Sequence, residues 1–131
     1  MSTPFLMFVG DQYGRAHEAI QFYLATFSNS HIDEIVFYGD DEPQAGSVKT
    51  ARFRLNGKPI MAADAPGDHG FGFTPALSLF IDCEDRDQQA QLYAELATDG
   101  QIMMPLDDYG FSQQFAWVAD KFGVSWQLNL A

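Results

Sequence analysis

Hydrophobic and polar positions along the chain run twice through one pattern. Residues 4–9, Pro-Phe-Leu-Met-Phe-Val, form an apolar run ended by Gly10-Asp11, which predicts a short buried strand. Over 14–27 the period changes. Ala16, Ala19, Ile20, Tyr23, Leu24 and Phe27 recur at helical spacing, and Ser28-Asn29-Ser30 stops that helix. The β-rich stretches 32–38 and 48–55 predict two strands on either side of an acidic turn at 39–43. Asn56-Gly57 then predicts a type I′ hairpin, whose two central residues both need positive φ, leading into a strand over 59–63.

A glycine-rich segment, 65–74, reads as a linker between modules at about 3–64 and 75–131. After it the order repeats. A strand is predicted over 76–81, and Asp85 with Gln88 resembles a capping box opening a helix. Leu92, Tyr93, Leu96 and Ala97 give that helix its apolar face, and Gly100 ends it. Strands over 102–106, 111–119 and 124–130 complete the half. The expected fold class is α+β, with two βαβββ modules in a single domain, helices buried between elements and a ligand cleft between the modules.

Composition sharpens this picture in three ways. Twelve Phe, five Tyr and two Trp in 131 residues supply enough apolar surface for a core or an aromatic-walled cleft. A net charge of −11, with no basic cluster, repels phosphate backbones, so nucleic acid is not an expected partner. The same acidity suits solubility, or attraction of a cationic ligand. Cys83 is the only cysteine, so no internal disulfide can form, and the acidic residues beside it disfavour a thiolate. Met1-Ser2-Thr3 lacks a positive leader and no run approaches the ~18 apolar residues of a membrane span, so a cytoplasmic protein without a membrane partner is expected.

The duplicated order is similar to that of the vicinal-oxygen-chelate (glyoxalase/bleomycin-resistance/dioxygenase) superfamily. The segment from Phe115 to Asn129, with its Asp120-x-Phe122-Gly123-x-x-Trp126 core, resembles the PhnB-like group, also described as 3-demethylubiquinone-9 3-methyltransferase-like. The opening Pro4-Phe5-Leu6-Met7-Phe8 and Met61-Ala62-Ala63-Asp64 match the same group, while Lys121 stands where wider superfamily members usually have proline. The resemblance implies a homodimer that builds or closes its cleft. It also implies, in the metal enzymes, four ligands on the first and last strands of each half. Those positions carry over to Pro4, Met61, Ala76 and Gln127. Only Gln127 offers an oxygen donor, and His17, His31 and His69 lie elsewhere, so neither a metal nor another cofactor is expected. A Gly-rich strand-to-helix turn of the kind that most S-adenosylmethionine enzymes use is missing too.

A two-residue turn at Asn56-Gly57 sets a register in which Leu55 faces Lys58, Phe53 faces Ile60, Arg52 faces Met61 and Thr50 faces Ala63. Ala51, Phe53, Leu55, Ile60 and Ala62 are then core, while Thr50, Arg52, Arg54, Met61 and Ala63 share the other face, which looks into the cleft. Parity adds Phe8, Ser78, Phe80, Ser125, Gln127 and Asn129 to the cleft, and assigns Phe5, Met7, Val9, Leu77, Leu79, Ile81 and Trp126 to the core. Trp117 is left open, because a bulge at 120–123 would flip it. Phe71, Phe73, Tyr109 and Phe111 sit in loops where they can form aromatic walls. Arg52, and less so Arg54, would recognise a carboxylate, phosphate or enolate-like oxygen, unless Arg52 simply pairs with a nearby Asp or Glu and Arg54 snorkels at the hairpin end. The leading reading is metal-independent binding or sequestration of a small organic ligand. The alternatives are a metal-free enzyme on a small anionic or aromatic substrate with Arg52 as stabiliser, and the methyltransferase of the group's description.

Overall fold

The structure is a computed structural model describing residues 2–131. Contacts divide it into two compact units, one ending at Gly72 and the other beginning at Phe73. Each unit is a βαβββ module. The first holds β1 (Phe5–Phe8), α1 (Ala16–Thr26), β2 (His31–Phe37), β3 (Val48–Leu55) and β4 (Lys58–Asp64). The second holds β5 (Ser78–Asp82), α2 (Arg86–Ala97), β6 (Gln101–Asp107), β7 (Gln114–Ala119) and β8 (Ser125–Leu130). Each four-stranded sheet has the same mixed order, β1-β4-β3-β2 and β5-β8-β7-β6, its first strand parallel to its last. The two-module α+β fold is the one the repeated pattern predicts.

In the first module the hairpin behaves as its turn requires. Asn56 and Gly57 take φ of 53° and 78°, and the pairs Leu55–Lys58, Phe53–Ile60 and Arg52–Met61 form. Ala51, Phe53, Leu55, Ile60 and Ala62 are buried with Ala16, Ala19, Ile20 and Tyr23 of α1, which packs on β3 and β4. The parallel strand differs from expectation. Phe5 pairs with Met61 and Met7 with Ala63, while Leu6 and Phe8 pair with Ala62 and Asp64. Phe8 is therefore fully buried on the helix-covered face, not in a cleft. Phe5 and Met7, expected in the core, are 49% and 38% exposed on the opposite face.

Asp64 ties this module together. It is buried at the end of β4, and its Oδ1 accepts from the N–H groups of Gly14 (2.8 Å) and Ala16 (3.1 Å). Its Oδ2 accepts from Val48 N–H at 2.8 Å. The N-cap of α1, Arg15, makes no capping bond with its own side chain. Asp64 supplies that function from a distant strand, satisfying amides that a helix start leaves unpaired and placing negative charge there.

In the second module Asp85 caps α2 as its sequence predicts, accepting from Gln88 N–H at 2.8 Å, while Gln88 Oε1 accepts from Glu84 N–H at 2.7 Å. Trp126, Leu128, Val118 and Ala116 are fully buried with Leu92 and Leu96 of α2. β5 begins at Ser78, so Leu77 precedes the strand and is 72% exposed instead of core. β7 begins at Gln114, so Phe111 lies outside it. The Asp120-x-Phe-Gly-x-x-Trp segment is a buried tether. Asp120 Oδ1 accepts from Phe122 N–H (2.9 Å) and Val124 N–H (3.1 Å), and Oδ2 accepts from the Trp126 indole N–H (2.8 Å).

Gly100 is where α2 gives way to β6, and a Cβ there would stand 2.1 Å from the backbone oxygen of Ala119. Backbone cannot swing aside as a flexible side chain does. Gly100→Ala is expected to lower stability by about 1–3 kcal/mol, the usual range for overpacking, measured as a fall in the urea midpoint.

Candidate functional site

Each sheet, sheet 1 (β1–β4) and sheet 2 (β5–β8), has one face covered by its own helix and one that its helix leaves open. Chemistry available to a ligand collects on the open faces. On sheet 1 the ladder sets Phe5, Met61 and Arg52 side by side across β1, β4 and β3, with Met7 and Thr50 nearby. Arg52 is exposed, and among the described residues it forms no ion pair, although Glu34 of β2 stands opposite it in register. Arg54 is different. An irregularity between Ile32 and Glu34 makes Asp33 an extra residue in β2, and its Oδ2 accepts from Arg54 Nε at 3.0 Å. Arg54 also donates to the Gly57 carbonyl at 3.4 Å, and Asp33 Oδ1 bonds His31 Nε2 at 2.9 Å. The guanidinium of Arg54 is thus engaged by Asp33 of β2 as well as by the hairpin end at Gly57.

On sheet 2, Ser78 pairs with Ser125 and Phe80 with Gln127, and across β7 Gln127 pairs with Trp117. The β7–β8 ladder carries no register shift, so Trp117 belongs to the open face. Its indole N–H donates to Ser125 Oγ at 2.8 Å, Ser125 Oγ lies 2.7 Å from Ser78 Oγ, and Gln127 Nε2 donates to Ser78 Oγ at 3.2 Å. Phe80 is 54% exposed beside them. Asn129 follows on the same face, opposite Phe115. Tyr109 stacks on Phe111 (centroids 6.4 Å, 17°), and both rings meet Phe115 edge-on, at 6.2 Å and 5.0 Å. Tyr109 donates its hydroxyl to the Pro105 carbonyl, and its pKa is raised by desolvation and then by the Asp107 carboxylate, so it stays a donor at neutral pH.

The remaining sequence candidates add little chemistry. Burial, then the charge of Asp82, pushes the Cys83 thiol up to about 11, which leaves no thiolate at neutral pH. A surface depression of about 420 Å³ between Tyr13 and the 43–47 loop is lined by uncharged groups, and Tyr13 Oη already bonds Ser47 Oγ at 3.1 Å.

The open faces also refine the metal-ligand comparison. Pro4 precedes β1 and offers its carbonyl to Met61 N–H, while Phe5 occupies the place beside Met61. Ala76 precedes β5, and Phe80 and Ser78 are the neighbours of Gln127. Neither the phenyl ring and thioether on the first sheet nor the hydroxyl and carboxamide on the second supply the imidazole, carboxylate or thiolate that a divalent cation takes. Among the described residues no three His, Cys, Asp or Glu come together.

A sequence profile described as 3-demethylubiquinone-9 3-methyltransferase matches residues 1–129. The chain belongs to that family. Its sheets superpose on those of the PhnB protein of Bacillus cereus, with 45% identity, a TM-score of 0.92, and 99% of this chain and 98% of that one covered. Protein YjdN of Escherichia coli K12 is 24% identical over 98% of this chain and 93% of its own length. A glyoxalase/bleomycin resistance protein from Albidiferax ferrireducens T118 has 14% identity and a TM-score of 0.59, covering 100% of this chain and 98% of that one, and so shares the fold. The PhnB-like resemblance and the glyoxalase/bleomycin-resistance architecture are both borne out. Among the described residues no helix is long and apolar enough to cross a membrane.

Proposed function

We propose that this PhnB-like protein binds a small organic anion on the open face of sheet 1, without a metal ion, and that binding or sequestration is its role. The observation that carries this reading is Arg52, an exposed guanidinium with no ion pair among the described residues, set in register beside Met61, which has Phe5 as its neighbour on the far side. An arginine fork pairs with a carboxylate through two parallel bonds, while a thioether and a phenyl ring accept the apolar body behind it. Glu34, opposite Arg52, sets a modest affinity by competing for the same charge. Ser78, Phe80, Ser125, Gln127 and Tyr109 belong to the open face of sheet 2, and Thr50 lies two residues before Arg52 on β3. No side-chain pair on either face reads as nucleophile plus base, which favours binding over turnover.

Methyl transfer, named in the family's description, is not part of this proposal. Enzymes with a Rossmann-like sheet seat the cofactor beside a Gly-rich turn after the first strand of a doubly wound parallel sheet. Here the sheets are mixed, and the amides of Gly14 and Ala16 at the start of α1 are already held by Asp64.

Benzoate, a carboxylate on a flat apolar body, is the simplest probe. Calorimetry is expected to show Arg52→Met binding it at least about tenfold more weakly than wild type, the loss of one charge-assisted pair. Unchanged affinity in Arg52→Met would remove the anion anchor from the account.

A further inference from the structure

The hydroxyl and amide groups on the open face of sheet 2 can be ordered by counting protons. Ser125 is 1% exposed, and its Oγ has two partners, the Trp117 indole N–H at 2.8 Å and Ser78 Oγ at 2.7 Å. If Ser78 donated to Ser125, the Ser125 hydroxyl hydrogen would be left without an acceptor in a place closed to water. Ser125 therefore donates to Ser78. Ser78 Oγ also accepts from Gln127 Nε2 at 3.2 Å, which fills both its lone pairs. Its own O–H is then the free end of the chain of bonds, and Ser78 is partly exposed. Beside it, the Gln127 carboxamide has spent a nitrogen on Ser78 and keeps its oxygen as an acceptor. A directed donor thus stands next to a directed acceptor, between the exposed ring of Phe80 and the half-buried indole of Trp117. One further group is unsatisfied: the Asn129 Oδ1, two residues along β8 on the same face, is buried and has no hydrogen-bond partner among the described residues.

We propose that this face is a site for a planar ligand carrying a cyclic amide, whose carbonyl accepts from Ser78 and whose N–H donates to Gln127 Oε1. A ring N–H next to a C=O matches the donor–acceptor pair edge to edge, and the ring stacks against Phe80 or Trp117. The Asn129 oxygen favours members of that class with a second N–H. This assignment rests on the reading that the open sheet faces bind small molecules, and adds what the second face selects. It uses no charge, and so differs in kind from the Arg52 site.

The test compares 2-pyridone with N-methyl-2-pyridone, which keeps the ring and carbonyl but lacks the N–H. The chain contains two tryptophans, and their indole N–H resonances report separately. Trp117 belongs to the network, whereas Trp126 is fully buried and held by Asp120. In nitrogen–proton correlation spectra, 2-pyridone is expected to shift the Trp117 indole signal saturably while Trp126 stays in place. N-methyl-2-pyridone should bind at least tenfold more weakly, and Ser78→Ala should weaken 2-pyridone by a similar factor. The comparison of the two compounds on the wild-type chain stands whether or not Ser78→Ala folds. Equal affinity for both, with Trp117 shifting, would overturn the cyclic-amide assignment while leaving the open face as a binding surface. Failure of 2-pyridone to move Trp117 would overturn the assignment on this face, and the benzoate titration on Arg52 judges the other face independently.

Discussion

Replacing Asp120 with alanine is expected to lower stability by about 3–5 kcal/mol, as a fall in denaturant midpoint with little change in slope. The carboxylate is 3% exposed and accepts from Phe122 N–H, Val124 N–H and the Trp126 indole, so its removal strands three buried donors at once. Hydrogen bonds to charged groups contribute about 1.5–3 kcal/mol each, and bonds sharing one acceptor group add incompletely. Asp120→Asn separates the contributions. Its amide oxygen can still serve the two backbone amides, but its NH₂ then confronts the Trp126 N–H. That variant should lose about 1–3 kcal/mol, and adding Trp126→Phe should recover part of the loss because the donor–donor conflict is gone. A loss below about 1 kcal/mol in Asp120→Ala would show that the tether contributes little.

Asp64→Ala is the counterpart in the first module, with an expected loss of about 3–4 kcal/mol by the same arithmetic. Here the stranded donors are Gly14 and Ala16 N–H at the start of α1 and Val48 N–H at the start of β3. Because the helix start is what comes loose, hydrogen exchange should rise most in the first turn of α1 and beside Val48. A uniform rise across the chain, or none, would contradict this role.

These two carboxylates show what kind of information the sequence carries. Asp64 and Asp120 both lie in segments whose likeness to the PhnB-like group is visible by eye, but their partners are not. Asp64 reaches amides some fifty residues earlier in the chain, and no local spacing announces that. The hairpin register was legible, because a two-residue turn at Asn56-Gly57 leaves only one alignment of β3 and β4. The parallel strand β1 was not. No turn joins it to β4, and Phe5-Leu6-Met7-Phe8 is apolar at every position, so its alternation has no readable phase. Assigning the ligand position to Pro4 put the even residues on the open face. The pairing of Phe5 with Met61 puts the odd ones there, which exchanges Phe8 for Phe5 and Met7.

The second module was easier where polar residues mark the phase. Ser125, Gln127 and Asn129 alternate with Trp126 and Leu128, and the buried Trp126 followed directly. In β7, Phe115-Ala116-Trp117-Val118-Ala119 has no such marks, and only the ladder to β8 settles Trp117. The bulge that brings Asp33 to Arg54 is likewise invisible in an alternating segment, and it is what separates the engaged Arg54 from Arg52, which has no ion pair among the described residues.

The central claim is that the open face of sheet 1 takes an organic anion through Arg52 with no metal between them. Its most direct measurement is a benzoate titration of protein dialysed against EDTA, followed by backbone amide shifts. The account predicts saturable shifts at Phe5, Arg52 and Met61 with the chelator still present. Shifts that arise only after a divalent ion such as Zn²⁺ is returned, or that gather on residues away from these three, would contradict it.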